Sequence, residues 1–169
     1  RSVAELLQHF EGIYVEQQAG PGTAGTIYQR GGDPNFTVVL IDGIKVNDPV
    51  NNRGGAYDFT TINIKDVERI EIVQGPQSAV YGSDAMSGVI NIITKKGAIT
   101  HKMHVAAEAG TLGYKSADVG VSGPLSKNGS YVLSGSIRDI GEPIEGSMQE
   151  SYFINSKLDY KFDNGFKSI

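Results

Sequence analysis

The densest set of chemically competent side chains lies between Asn47 and Asp58, in the stretch NDPVNNRGGAYD. Asp48, Asn51, Asn52 and Asp58 carry oxygen donors of the kind that hold a hard cation such as calcium. Their spacing is not that of an EF-hand, and Asn, Asp and Gly are also ordinary turn residues. A calcium site on Asp48 and Asp58 and a plain connector therefore both fit. Arg53 offers a planar guanidinium that can grip an anion through two hydrogen bonds. Tyr57 adds a flat face and a hydroxyl outside the strand core, and Gly54-Gly55 supply backbone freedom. A second loop, Ala19 to Gly25 (AGPGTAG), has the glycines of a phosphate cradle without the lysine–hydroxyl pair of a P-loop. His101 and His104 stand three apart. On a strand they point to opposite faces, which argues against a shared metal. The three histidines have no nucleophile arranged around them, and Ser78 lacks the G-x-S-x-G elbow. No enzymatic activity and no cofactor are expected.

The elements that must position these groups can be read from periodicity. Ser2-Val3-Ala4-Glu5 forms a capping box, and Val3, Leu6, Leu7 and Phe10 follow at helical spacing until Gly12. Ile13 to Gln17 and Thr26 to Arg30 read as strands. Phe36 to Ile41 and Ile44 to Val46 flank Asp42-Gly43, a strong short-range hairpin signal. Glu68 to Lys96 reads as strand, turn, short helix, turn, strand. Ile70 and Ile72 alternate with Arg69 and Glu71. Pro76 suits the first position of a helix that Gly82 ends. Val89 to Thr94 is apolar on both faces except at Asn91, as in a strand buried on both sides. Asn91 there must find hydrogen-bond partners.

After Lys96 the alternation becomes regular. The expected strands are Met103–Ala109, Lys115–Ser122, Ser130–Asp139 and Ser151–Phe162, each with one apolar and one polar face. Turns are expected at 111–113, 123–129, 141–150 and 163–165. Strands of about ten residues with this pattern suit a membrane β-barrel, and equally a soluble antiparallel sheet. Tyr131, Tyr160 and Phe162 would gather at one rim and Tyr152 at the other, as aromatic girdles do. Composition agrees with strands and tight turns. The 169 residues include 22 glycines and no cysteine, and the net charge of −4 gives no basic footprint for nucleic acid.

One combination of residues goes further. Arg69-Ile70-Glu71-Ile72, Gly75-Pro76, Ser78-Ala79, Tyr81-Gly82 and Gly88 to Thr94 resemble the end of the plug domain of TonB-dependent outer-membrane transporters. Leu6-Leu7, Gly12-Ile13, Arg30-Gly31 and Leu40-Ile41-Asp42-Gly43 stand before them in the family's order. The resemblance implies an α+β plug over residues 1–97, with a small mixed sheet and short helices. The first antiparallel strands of a transmembrane β-barrel would follow over 98–169, in a truncated chain. It places the segment that the TonB protein grips, and the first plug strand, ahead of Arg1. The implied function is TonB-energised uptake across a Gram-negative outer membrane. Its substrate would be a bulky iron-siderophore, a related metal chelate or cobalamin. A glycan importer of the same family and a soluble β-rich glycan- or peptide-binding module are the alternatives. By the family pattern the apical loops are Gln18 to Gly25 and Asn47 to Tyr57. Gln18, Thr23, Asn47, Asp48, Asn51, Asn52, Arg53 and Tyr57 are the expected substrate contacts. Arg30 and Arg69 match the paired plug arginines that face barrel-wall carboxylates. Gln29 stands where the family usually has an aliphatic residue, and Gln74 where a basic one is common.

Overall fold

The computed structural model describes residues 3–17, 25–48, 50, 55–141, 148–162 and 167–168. The chain divides into two compact units, Arg1–Thr94 and Lys95–Ile169.

The first unit opens with α1 (Val3–Leu7), which buries Val3, Ala4 and Leu7. The helix stops at Leu7 instead of continuing to Gly12. Phe10, expected on its buried stripe, is 47% exposed, because residues 8–10 turn back on the helix end through Phe10 N donating to Leu7 O. Ser2 lies outside the described residues. β1 (Ile13–Gln17) and β2 (Gly25–Gln29) pair antiparallel, Ile13 opposite Gln29. Ile13 and Val15 face inward while Tyr14 and Glu16 face out, the period-two outcome.

β3 (Thr37–Ile41) and β4 (Ile44–Lys45) form the expected hairpin, with Leu40 opposite Lys45. Its turn residues Asp42 and Gly43 have φ of 51° and 85°, the left-handed pair that a two-residue hairpin requires. The Asp42 carboxylate accepts from Thr94 N at 3.0 Å and Thr94 Oγ1 at 2.6 Å, fastening the turn to the end of a later strand.

β5 (Val67–Gln74), α2 (Ser78–Tyr81) and β6 (Gly88–Thr94) complete the unit. The sheet order is β4-β3-β6-β5, with β3 parallel to β6 and β5 antiparallel to it, a small mixed sheet. β6 is the axis. Ile90 and Ile92 join Leu7, Val15, Ile27 and Phe59 in one cluster. Val89 joins Val38, Leu40 and Ala85 in another. Burial on both sides explains an apolar run that only Asn91 interrupts. Asn91 finds its partners at the surface. Its Oδ1 accepts from Gly43 N at 3.3 Å, and its Nδ2 donates to Glu71 Oε2 at 3.2 Å.

Pro76 does not start the helix, which begins at Ser78 with Gln77 at the cap position. Gly75 N donates to Ser87 O and Gln77 N to Ala85 O. The backbone thus stays paired on either side of Pro76, at the one residue that has no N–H to give. Gly82 ends the helix as expected, at φ 85°.

The second unit is an antiparallel meander in the order β7 (Lys102–Ala109), β8 (Lys115–Ser126), β9 (Gly129–Asp139), β10 (Glu150–Lys161) and β11 (Lys167–Ser168). β8 is longer than its pattern suggests. It continues through Gly123 and Pro124 to Ser126, leaving only Lys127-Asn128 as the turn. A register shift between Pro124 and Ser126 absorbs the proline, which a regular ladder would reject. The expected turns at 163–165 and across most of 141–150 lie outside the described residues.

Register places Tyr152 opposite Ile137 and Leu158 opposite Tyr131. Ile137 stands opposite Ala117, Leu133 opposite Val121, and Val119 opposite Val105. One face is thus apolar across four strands, and it is the exposed one, with Ile154 88% exposed. The other face carries His104, Asp118, Ser134, Ser136, Arg138 and Asn155, and on it Asp118 is 7% exposed. A sheet in water hides its apolar face. This one presents it, as a barrel wall does to lipid. Tyr160 and Phe162 meet edge-on at 4.9 Å, toward the Lys127-Asn128 end. Tyr131 lies at that end too, with its hydroxyl 3.3 Å from His101 Nδ1. The two histidines diverge: His104 Nε2 lies 3.3 Å from Asp118 Oδ2 on the polar face.

Candidate functional site

The Asp42-Gly43 hairpin delivers the chain to residues 47–58, and the structure shows how that stretch is tied down. Asn47 Oδ1 accepts from Val39 N at 2.7 Å. Its Nδ2 donates to Thr37 O at 3.0 Å and to Gly55 O at 3.2 Å. Asp48 Oδ1 accepts from Val50 N at 2.9 Å, a local Asx turn. Asp58 caps the single helical turn Phe59–Thr61, its Oδ1 accepting from Thr60 N at 3.0 Å and Thr60 Oγ1 at 2.7 Å. Each aspartate thus has an oxygen engaged by its own loop. Among the described residues no three His, Asp or Glu side chains gather as a metal site.

Tyr57 differs from expectation. It packs against the plug core, edge-on to Phe59 at 5.0 Å. Its hydroxyl shares a 2.8 Å hydrogen bond with Thr61 Oγ1. Burial raises its pKa above the ordinary tyrosine value, against the opposing pull of Thr61, and the Asp58 charge adds to the rise. The cavity beside it, lined by Ile27, Thr37, Val39 and Phe59 among others, is about 10 Å³. That is room for about one water. Gln18, Thr23, Asn51, Asn52 and Arg53 lie outside the described residues.

Arg30 and Arg69 occupy separate elements, Arg30 at the end of β2 and Arg69 within β5. Arg30 has φ 54°, unusual without a glycine. Its N donates to Gly12 O at 2.6 Å, which holds the strained residue in place and leaves the guanidinium at the surface. Arg69 Nε donates to Glu71 Oε1 at 2.9 Å, and Nη1 lies 3.5 Å from Glu68 Oε1. With Arg69 and Glu71 about half exposed, such a pair contributes at most about 1 kcal/mol. It can be exchanged for another carboxylate at little cost.

The two glutamines at departures from the family pattern turn out to join parts of the plug. Gln29 is fully buried and donates to Val73 O at 3.2 Å, linking β2 to β5. Gln74 Nε2 donates to Glu11 O at 2.6 Å. Their unusual identity was the only signal available, and it carried no partner. Lys45 and Asp84 also pair, tying β4 to the segment after α2. The Lys45 hydrogen bond, aided by Ser83 and by the Lys45 charge, holds the Asp84 carboxyl below its usual range. On the outward face of β1 and β2, Tyr14 and Tyr28 lie 6.0 Å apart. The Tyr28 hydroxyl donates to Glu16 Oε2 at 2.9 Å, and that hydrogen bond raises its pKa above the ordinary tyrosine value.

A plug-like mixed sheet followed by a meander with an outward apolar face defines a class that comparison with known proteins identifies. Residues 1–89 match the TonB-dependent Receptor Plug Domain, and the chain belongs to that family of Gram-negative outer-membrane receptors. It is similar to the vitamin B12 transporter BtuB of Vibrio vulnificus (strain CMCP6), 31% identical over 151 residues. That match covers 86% of this chain and 24% of BtuB, so the chain spans about a quarter of that relative's length. The pyoverdine outer-membrane receptor FpvA of Pseudomonas aeruginosa PAO1 shares the fold, with a TM-score of 0.80 at 21% identity. There the match covers 98% of this chain and 24% of FpvA. The siderophore receptor PirA of Acinetobacter baumannii matches at 26% identity and a TM-score of 0.67, over 95% of this chain and 27% of PirA.

Proposed function

We propose that the chain supplies the plug, residues 1–97, and the first wall strands, residues 98–169, of a receptor for TonB-energised uptake. The substrate is a scarce, bulky chelate, an iron-siderophore complex or a relative of one, or cobalamin. The observation that carries this reading is the union in one chain of a plug-family module with a sheet whose apolar face is exposed. The relatives named above are a vitamin B12 transporter, a siderophore receptor and a pyoverdine receptor. By the family pattern, Gln18, Thr23, Asp48, Asn51, Asn52 and Arg53 contact the substrate from the plug's apical loops, while Tyr57 packs against Phe59. Arg30 and Arg69 meet carboxylates of the enclosing wall, and the weak Arg69–Glu71 pair keeps that docking reversible. The partners are TonB, outer-membrane lipid and the chelate.

The test is equilibrium binding to the complete receptor of a panel: cyanocobalamin, ferric enterobactin and ferric pyoverdine. One member should bind, and Arg53→Ala should weaken it by about 1–3 kcal/mol, the scale of an interface anchor. Expression should not change, since Arg53 stands in the loop sequence between the expected strands. Binding by no member would count against the substrate class. Full affinity in R53A would move selection to loops of the barrel.

A further inference from the structure

We propose that Asn47 is a positioning residue: its side-chain amide clamps the two ends of the 48–54 segment together and is not itself a ligand contact. The need for a clamp follows from β4. That strand has only Ile44 and Lys45, so it covers the edge of β3 only at Leu40 and Ile41. Val46 N reaches Val39 O at 3.0 Å, and there main-chain pairing along this edge gives way to a side chain. Thr37 and Val39 are buried, and buried backbone groups must be paired. The Asn47 amide stands in for the missing strand. Its Oδ1 takes the Val39 N–H and its Nδ2 meets the Thr37 carbonyl, as a peptide group of a longer β4 would.

The second Nδ2 hydrogen then reaches the Gly55 carbonyl on the returning limb. That limb is fixed in turn, because Ala56 and Phe59 are both buried. One planar amide therefore sets the separation of residues 47 and 55, whatever occupies the positions between them. Both donors and one acceptor lone pair of the side chain are spent on backbone, so a ligand would find no free N–H on the Asn47 amide. Fixing the base of a binding loop in advance removes ordering cost from association. The consequence for ligand binding rests on the uptake reading above; the clamp itself does not.

Two variants of the complete receptor separate the roles of the amide. Asn47→Ala removes all three bonds. Asn47→Asp keeps an acceptor for Val39 N–H but turns a carboxylate oxygen toward the Thr37 and Gly55 carbonyls. Hydrogen exchange read by mass spectrometry should show residues 39 and 55–57 both exposed in N47A. In N47D, residues 55–57 should be exposed with residue 39 still protected. Both variants should lose affinity for the panel member that binds wild type, on the order of tenfold. Unchanged exchange at 55–57 in both variants would overturn the clamp, and wild-type affinity in N47D would overturn its role in positioning the loop for a ligand. If N47A fails to fold, the N47D pattern alone decides. The exchange pattern appearing in a receptor that binds no chelate would uphold the clamp and reject the uptake reading.

Discussion

Gly88→Ala should be the most damaging single substitution in the plug. Gly88 has φ 152° at the start of β6, the strand on which both core clusters rest. A methyl group there would fall 2.6 Å from Gln29 Nε2 and closer still to Gln29 Oε1 and the Val73 carbonyl oxygen. Neither neighbour can give way freely. Gln29 is fully buried and fills the space over Gly88 while bonding Val73 O. Val73 belongs to β5, in register with Val89. Overpacking and backbone strain together should cost about 3 kcal/mol or more. Urea denaturation followed by proteolysis of the plug would read this as a large fall in the midpoint. Gly31→Ala is the control. Gly31 also has a positive φ of 73°, but nothing lies within 4 Å of a methyl group there, so only the backbone term remains. Equal losses in the two variants would show that the Gln29–Gly88 packing contributes nothing.

The second large effect distinguishes the two faces of the meander. Ile154 lies near the middle of β10 on the apolar face, and Asn155 follows it on the polar face. Ile154→Arg would place a guanidinium against the hydrocarbon core, at about 2–4 kcal/mol when the residue sits near the bilayer midplane. Asn155→Arg would place the same charge in a polar lumen and cost much less. Refolding of the complete receptor into phospholipid vesicles, followed by denaturant titration, should show I154R strongly destabilised and N155R close to wild type. The opposite ranking would reverse the assignment of faces.

The sequence exposes these faces well and the polar joints poorly, and the difference is physical. Alternation within a strand fixes which residues share a face, so the shared parity of Tyr131, Ile137, Ile154 and Leu158 is legible in the sequence. The run from Val89 to Ile93, apolar except at Asn91, likewise announces a strand covered on both sides. Asp42-Gly43 specifies its own turn, because few other pairs tolerate two left-handed residues. Partners distant in sequence leave no such mark. Asn91 plainly needed a partner, but nothing local indicated Gly43 N or Glu71. Asn47 read as one more polar loop residue, though its amide completes the edge of β3. Tyr57 read as a free aromatic, because its contact with Phe59 depends on the helical turn that Asp58 caps. Pro76 fitted a helix start by local preference, and tertiary pairing on both sides of it prevailed. The shortened α1 is a further case: Val3, Ala4 and Leu7 are buried, while Phe10, next on the helical stripe, stays largely exposed.

Energised passage through an outer membrane can be read from the accumulation of labelled substrate. The complete receptor would be expressed in Gram-negative cells without competing receptors, in paired strains with and without tonB. Each would be given the chelate that binds in the panel, carrying a radioactive metal. Surface binding is expected in both strains, and sustained accumulation inside the cell only where TonB is present. Equal accumulation in the two strains would contradict energised passage, because the receptor would then be an open channel and its plug would need no pull.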